Sequence, residues 1–146
     1  MFRCLHHPPV AALVGADAIL LIVRILSREK LDQLYALCRE LGMDALVEIH
    51  TAEEARIVTA SAVRLVGINN RNLTSFETDI SAAMELVSQL GSGQLPVAAS
   101  GITGPDDVRR NRSFGIRNFL VGESIVRAED AARFIEELTA AGANSG

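Results

Sequence analysis

The 146-residue chain has no tryptophan, one tyrosine and five phenylalanines, so its interior must be built from Leu, Ile, Val and Ala. Cysteine is as scarce: Cys4 and Cys38 lie far apart, without the close spacing of a zinc site or the paired framework of a disulfide scaffold. Lys30 is the only lysine, and the formal net charge is −4. That balance offers no basic field for nucleic acid. The arginines are scattered except for Arg109, Arg110 and Arg112, which suit a solvated helix end. The apolar run at 16–23 is far shorter than the roughly 20 residues a membrane helix needs. The opening residues lack the apolar core of a signal peptide. No nucleic acid, no membrane and a reducing, cytoplasmic setting are therefore expected.

Hydrophobic residues make up 49% and charged residues 22% of the chain, ordinary values for an α/β domain with a real core. Five short apolar runs recur, at 18–23 (AILLIV), 45–49 (ALVEI), 64–68 (RLVGI), 95–98 (LPVA) and 117–121 (RNFLV). Their β-branched, near-continuous hydrophobicity suits parallel strands covered on both faces. The segments between them read as amphipathic helices. Leu31, Leu34, Leu37 and Leu41 fall on one helical stripe, with Gly42 placed to end it. Thr51 and Glu54 make a capping-box pattern, and Pro105 after Gly104 suits a first helical turn. Phe134, Ile135 and Leu138 are expected to form the buried face of a last helix, and the tail 141–146 to fray.

Such alternation means a parallel α/β sheet, either doubly wound or closed into a barrel. Neither G-x-G-x-x-G nor a P-loop follows any run, which weakens a nucleotide-binding reading. Glu48, Asn69, Ser100 and Gly122 each stand at the C-terminal end of a different run, the rim on which barrel enzymes build their sites. The pattern predicts a partial (β/α)8 TIM barrel of about five parallel βα units, N-terminal units missing, since a complete barrel has eight strands and about 250 residues.

Two glycine-bearing turns follow the last two runs: Ala99-Ser100-Gly101-Ile102 and Val121-Gly122-Glu123-Ser124. Loops in these positions commonly hold a phosphate, because glycine lets backbone N–H groups approach an anion and a helix N-terminus adds its dipole. Ser100, Gly101, Gly122 and Glu123 are thus the candidate phosphate ligands. Glu123 fits only if its carboxylate points away and its backbone N–H makes the contact.

From residue 15 to 138 these segments, with Gly-Ile-Asn-Asn-Arg-Asn-Leu at 67–73 the most specific, resemble the indole-3-glycerol-phosphate synthase family. The resemblance implies a tryptophan-pathway lyase that closes the ring of 1-(2-carboxyphenylamino)-1-deoxyribulose 5-phosphate with loss of carbon dioxide and water, using no cofactor and no metal. It implies that Glu48 acts in proton transfer and that Asn69 orients substrate and catalytic groups. It further implies Arg71 near the substrate carboxylate, Leu20 and Leu73 against its aromatic ring, and the two glycine turns around its phosphate. The residues alone leave bland alternatives open. Asn69 and Asn70 suit turns, Arg71 could pair with Glu48, Leu20 and Leu73 could be core, and His50 reads as a loop residue.

Two departures from the family pattern stand out. Ala99 occupies a position where the family usually has glutamate. The general-acid lysine that the family draws from its third strand has no counterpart, since Lys30 falls in the first turn of an outer helix. The expected organisation is a non-matching segment 1–14, a phosphate-binding partial barrel at 15–140 and a flexible tail. A competing reading is a non-catalytic half-barrel completed by a partner chain, with self-association expected through open sheet edges. An isomerase of the same pathway is disfavoured, because Cys38 lies mid-helix and Asp17 precedes its strand.

Overall fold

The computed structural model describes residues 8–69 and 80–143. A short helix α1 (Pro8–Leu13) leads into strand β1 (Ala18–Ile22), a 3₁₀ turn at Val23–Ile25 and helix α2 (Arg28–Glu40). Then follow β2 (Asp44–Ile49), α3 (Ala52–Thr59), β3 (Leu65–Ile68), α4 (Ile80–Ser88), β4 (Leu95–Ala98), α5 (Pro105–Ser113), β5 (Asn118–Phe119), α6 (Glu123–Arg127) and α7 (Ala131–Ala143). The strands form one sheet in the order β1-β2-β3-β4-β5, and every neighbouring pair is parallel. The five apolar runs are these five strands, in sequence order. β5 is the shortest, two residues against the five of the run, and its only partner among the described residues is β4.

Local sequence sets the helix ends. Ser27 caps α2 by accepting a bond from the Lys30 N–H at 3.2 Å. The helix stops at Gly42, whose φ of +73° suits glycine and costs a Cβ-bearing residue energy. The Gly42 N–H donates to the Arg39 carbonyl and the Met43 N–H to Cys38, a Schellman ending closed by the buried Met43. Thr51 caps α3 through the Glu54 N–H at 3.2 Å. The carboxylate of Glu54 reaches back one residue further than a capping box requires, to the N–H of His50.

The strands alternate between two faces. Ile19, Leu21, Val47, Ile49, Val66, Ile68 and Ala98 join one buried cluster with Leu31, Leu34 and Cys38 of α2, Ala55 and Val58 of α3, and Leu86 of α4. Ala18, Leu20 and Ile22 alternate with them and are only half-buried. In register, Leu20 stands beside Leu46 and Ile22 beside Glu48. A Cβ built on Gly67 would lie 3.5 Å from Leu46 Cδ1 and 3.5 Å from Ala99 Cβ, so these residues share the face opposite the helix-packed cluster, which among the described residues carries no helix. That face is the inner wall of a barrel, opened out.

Three expectations are corrected. The buried stripe of α2 is Leu31, Leu34 and Cys38, with Leu37 half-buried and Leu41 40% exposed. Leu41 is the C-cap, one residue past the last helical position, so it falls off the stripe that Cys38 completes. In α7, Phe134 and Leu138 are half-buried but Ile135 is 45% exposed, and the buried residue is Ala141. This helix packs on α5 and α6 rather than squarely on a strand, which also keeps it helical through Ala143, into the segment expected to fray.

Candidate functional site

β2 and β3 bring Glu48 and Asn69 to the same end of the sheet, and the turn after β4 adds Ser100. Asn69 Nδ2 donates to Glu48 Oε1 at 3.2 Å, and Ser100 Oγ donates to Asn69 Oδ1 at 2.6 Å. Three residues far apart in sequence thus form one hydrogen-bonded row across three strand ends. The Glu48 side chain is 12% exposed. A carboxylate that deep must be held by donors, because leaving it without partners would be costly. Asn69 supplies one donor. His50 supplies a second contact, its Nε2 lying 3.3 Å from Glu48 Oε1.

The sequence marks His50 as a loop residue. It does follow β2 directly, but its side chain is only 9% exposed, between Glu48 and Glu54. His50 Nδ1 lies 3.7 Å from Glu54 Oε2, and Glu54 Oε1 lies 3.5 Å from Arg24 Nε in the turn after β1. The available signal was a glutamate four residues after a histidine at a helix start. Read along the sequence alone, that spacing marks only a helix cap.

The two glycine turns face each other. Ala99 to Thr103 and Leu120 to Ser124 line one cleft of about 190 Å³. Ser124 Oγ donates to the Ile102 carbonyl at 2.6 Å, tying the turns together. Gly101 has φ +75°, the left-handed conformation that glycine adopts freely. The Asp107 carboxylate pins the loop after β4 by accepting from the Thr103 N–H at 2.8 Å and from its hydroxyl at 2.7 Å. Gly122 is the residue before α6, and a Cβ there would meet no protein atom within 4 Å. The Glu123 carboxylate turns along α6 to Arg127 at 3.0 Å, the orientation required if its backbone is to face an anion.

Of the remaining sequence candidates, Leu20 lies half-buried on the helix-free face. Arg71 and Leu73 lie outside the described residues. Lys30 sits in the first turn of α2, in the helix layer. Arg109 and Arg110 pair with Asp106 and Asp107 on α5, as a solvated helix end does. Cys38 is fully buried in the last turn of α2, and burial pushes its thiol pKa above the ordinary range. Among the described residues no helix is long and apolar enough to cross a membrane.

A parallel sheet with one helix-covered face and polar side chains gathered at its strand ends defines an α/β protein of the barrel type. Solved structures agree on the fold. The chain superimposes on 3-hexulose-6-phosphate synthase from Salmonella typhimurium with a TM-score of 0.78 at 14% identity, covering 92% of this chain and 65% of that one. On thiamine phosphate pyrophosphorylase from Pyrococcus furiosus the TM-score is 0.72 at 20% identity, covering 94% and 64%. Sequence goes further. The family described as indole-3-glycerol phosphate synthase matches residues 9–138. The protein of that name from Desulfosudis oleivorans is 52% identical over 128 residues, 88% of this chain and 49% of the relative. A multifunctional tryptophan biosynthesis protein from Schizosaccharomyces pombe is 45% identical over 128 residues, 88% of this chain and 17% of the relative. The chain belongs to the indole-3-glycerol phosphate synthase family. It spans about half the length of the bacterial relatives it matches.

Proposed function

We propose that this chain carries the phosphate-holding and dehydration half of an indole-3-glycerol phosphate synthase site, acting on 1-(2-carboxyphenylamino)-1-deoxyribulose 5-phosphate in a cytoplasmic tryptophan pathway. One observation carries the reading. Ser100 lines the cleft between the glycine turns and also donates to Asn69, which donates to Glu48. A phosphate held by the turns therefore places the rest of the substrate over the carboxylate row. In this reading backbone N–H groups of Gly101, Gly122 and Glu123 take the phosphate oxygens, with the Ser100 hydroxyl beside them. Asn69 orients the substrate hydroxyl, and Glu48 moves the proton that leaves during dehydration. Leu20, with Leu73, flanks the aromatic ring, and Arg71 meets its carboxylate; these roles rest on the family resemblance.

Ring closure needs a proton delivered to the carbonyl oxygen as the new bond forms, and a positioned acid contributes about 10²–10⁴-fold. Lys30 cannot supply it from the helix layer, and Ala99 adds no carboxylate. The 146 residues by themselves are therefore expected to bind the phosphorylated substrate and turn it over poorly. A second reading, a non-catalytic half-barrel completed by another chain or a second copy, draws on the sheet. β1 and β5 are each paired on one side only among the described residues, which leaves two open sheet edges there. Calorimetry with the substrate and its dephosphorylated counterpart, a steady-state assay and light scattering test both readings. The expected result is phosphate-dependent binding by a self-associated chain with little turnover. Equal affinity for the two compounds would remove the phosphate reading. A monodisperse monomer turning over at about 1 s⁻¹ or faster would overturn the argument about the acid and the edges.

A further inference from the structure

We propose that His50 is a positioning residue for Glu48, an imidazole clamp braced from behind by Glu54 and Arg24; this rests on the reading of Glu48 as the carboxylate that moves a proton. Glu48 Oε1 is approached from two sides, by Asn69 Nδ2 at 3.2 Å and by His50 Nε2 at 3.3 Å. The His50 ring is itself fixed. Its backbone N–H donates to Glu54 Oε2, its Nδ1 faces that same oxygen at 3.7 Å, and Glu54 Oε1 faces Arg24 Nε at 3.5 Å. Thr51 holds Glu54 at the start of α3 through the Glu54 N–H.

The charges make the arrangement purposeful. Glu48 and Glu54 side chains are 12% and 11% exposed, with His50 between them at 9%. Two carboxylates this close to one another and this far from water repel, and a group that can carry positive charge between them relieves that repulsion. Imidazole does so reversibly, with Nε2 toward Glu48 at 3.3 Å and the buried Nδ1 facing Glu54 at 3.7 Å, too far for a hydrogen bond. Among the described residues the charged groups facing the ring are Glu48 on its own strand, Glu54 on α3 and, through Glu54, Arg24 after β1. No group of three His, Cys, Asp or Glu side chains among the described residues could hold a metal ion, so the cluster does not read as an empty metal centre. The clamp fixes which Glu48 oxygen is engaged and leaves Oε2 to face the substrate. When His50 loses its proton, the hold on Oε1 loosens.

The test is NMR on the unliganded full chain, following the His50 ring nitrogens, the Glu48 side-chain carboxyl carbon and the Asn69 side-chain amide across pH. In the wild type all three are expected to step together, because they share one oxygen. In His50→Gln the Glu48 and Asn69 signals should lose that step, while the glutamine amide keeps Asn69 near its low-pH position. In Glu54→Gln the Glu48 and Asn69 signals should still step together with the ring, because both contacts to Glu48 Oε1 remain. Glu48 and Asn69 signals that ignore the His50 step in the wild type overturn the clamp, whether or not a variant folds. Separate steps in a chain that still binds substrate sink the clamp alone. Joint steps in a chain that fails to bind substrate sink the proposed function and keep the clamp.

Discussion

Replacing Gly122 tests the phosphate cleft at the position where side-chain bulk does least harm to the fold. Its φ of −125° lies outside the left-handed region that favours glycine, and a Cβ built there meets no protein atom within 4 Å. Gly122→Ala and Gly122→Val should therefore fold as the wild type does, with about 1 kcal/mol or less lost from the start of α6. What the new atoms obstruct is the approach of an anion to the turn. A hydrogen bond to a charged group contributes about 1.5–3 kcal/mol. Losing one N–H contact to a phosphate ester then weakens binding about 10- to 140-fold, more for valine than for alanine. The assay is calorimetric titration with glycerol 3-phosphate. Gly104→Val is the control: Gly104 also precedes a helix, α5, and also has nothing within 4 Å of its Cβ direction, but it does not line the cleft. The reasoning fails if Gly122→Val binds as tightly as the wild type, or if Gly104→Val loses as much.

Other outcomes follow from the packing. Ile19→Ala removes a fully buried side chain from the helix-covered face and should cost about 2–5 kcal/mol in urea unfolding. Leu20→Ala, on the half-buried inner wall, should cost well under half of that, and equal losses would mean the two faces were assigned wrongly. Thr51→Ala removes the cap on the Glu54 N–H and should cost about 1 kcal/mol, a loss visible in the same melts. Burial raises the Cys38 thiol above its ordinary value of 9.0, so the folded state favours the neutral thiol. Its contribution to stability is complete below that ordinary value and is lost as pH rises through the folded pKa. In a Cys4→Ser background, thiol reagents should modify Cys38 no faster than the chain unfolds, and stability should fall above about pH 9 less steeply in Cys38→Ala. Rapid modification of the folded chain would contradict its burial.

Much of the fold was legible because its signals are short-range. A run such as AILLIV marks a strand by composition, and Gly42 and Thr51 mark helix ends through bonds that span only a few residues. The cleft was legible too, as a pair of glycine turns at strand ends, although nothing in the sequence showed Ser124 tying them together. The misses are of another kind. Ile135 fits the apolar stripe of α7 but is 45% exposed, because periodicity says which residues share a helical face and not which neighbour that face meets. His50 looked like loop because nothing next to it in sequence explains burying a histidine.

The sequence by itself determined the five βα units, their order and the residue types at each strand end, since period-two strands, amphipathic helices and their caps depend on neighbours a few positions away. Only the tertiary structure decided which of those residues meet. Asn69 reaches Glu48 across 21 positions, Ser100 reaches Asn69 across 31, and Ser124 reaches Ile102 across 22. Those separations are bridged by parallel register, which aligns Ile22 with Glu48, Glu48 with Gly67 and Gly67 with Val97. A slip of one residue along β2 would turn Glu48 into the helix layer and break the row, because side chains alternate with a period of two. Register is settled by burying Val47, Ile49, Val66 and Ile68 together against the helices. The polar row on the opposite face is held in line by that burial.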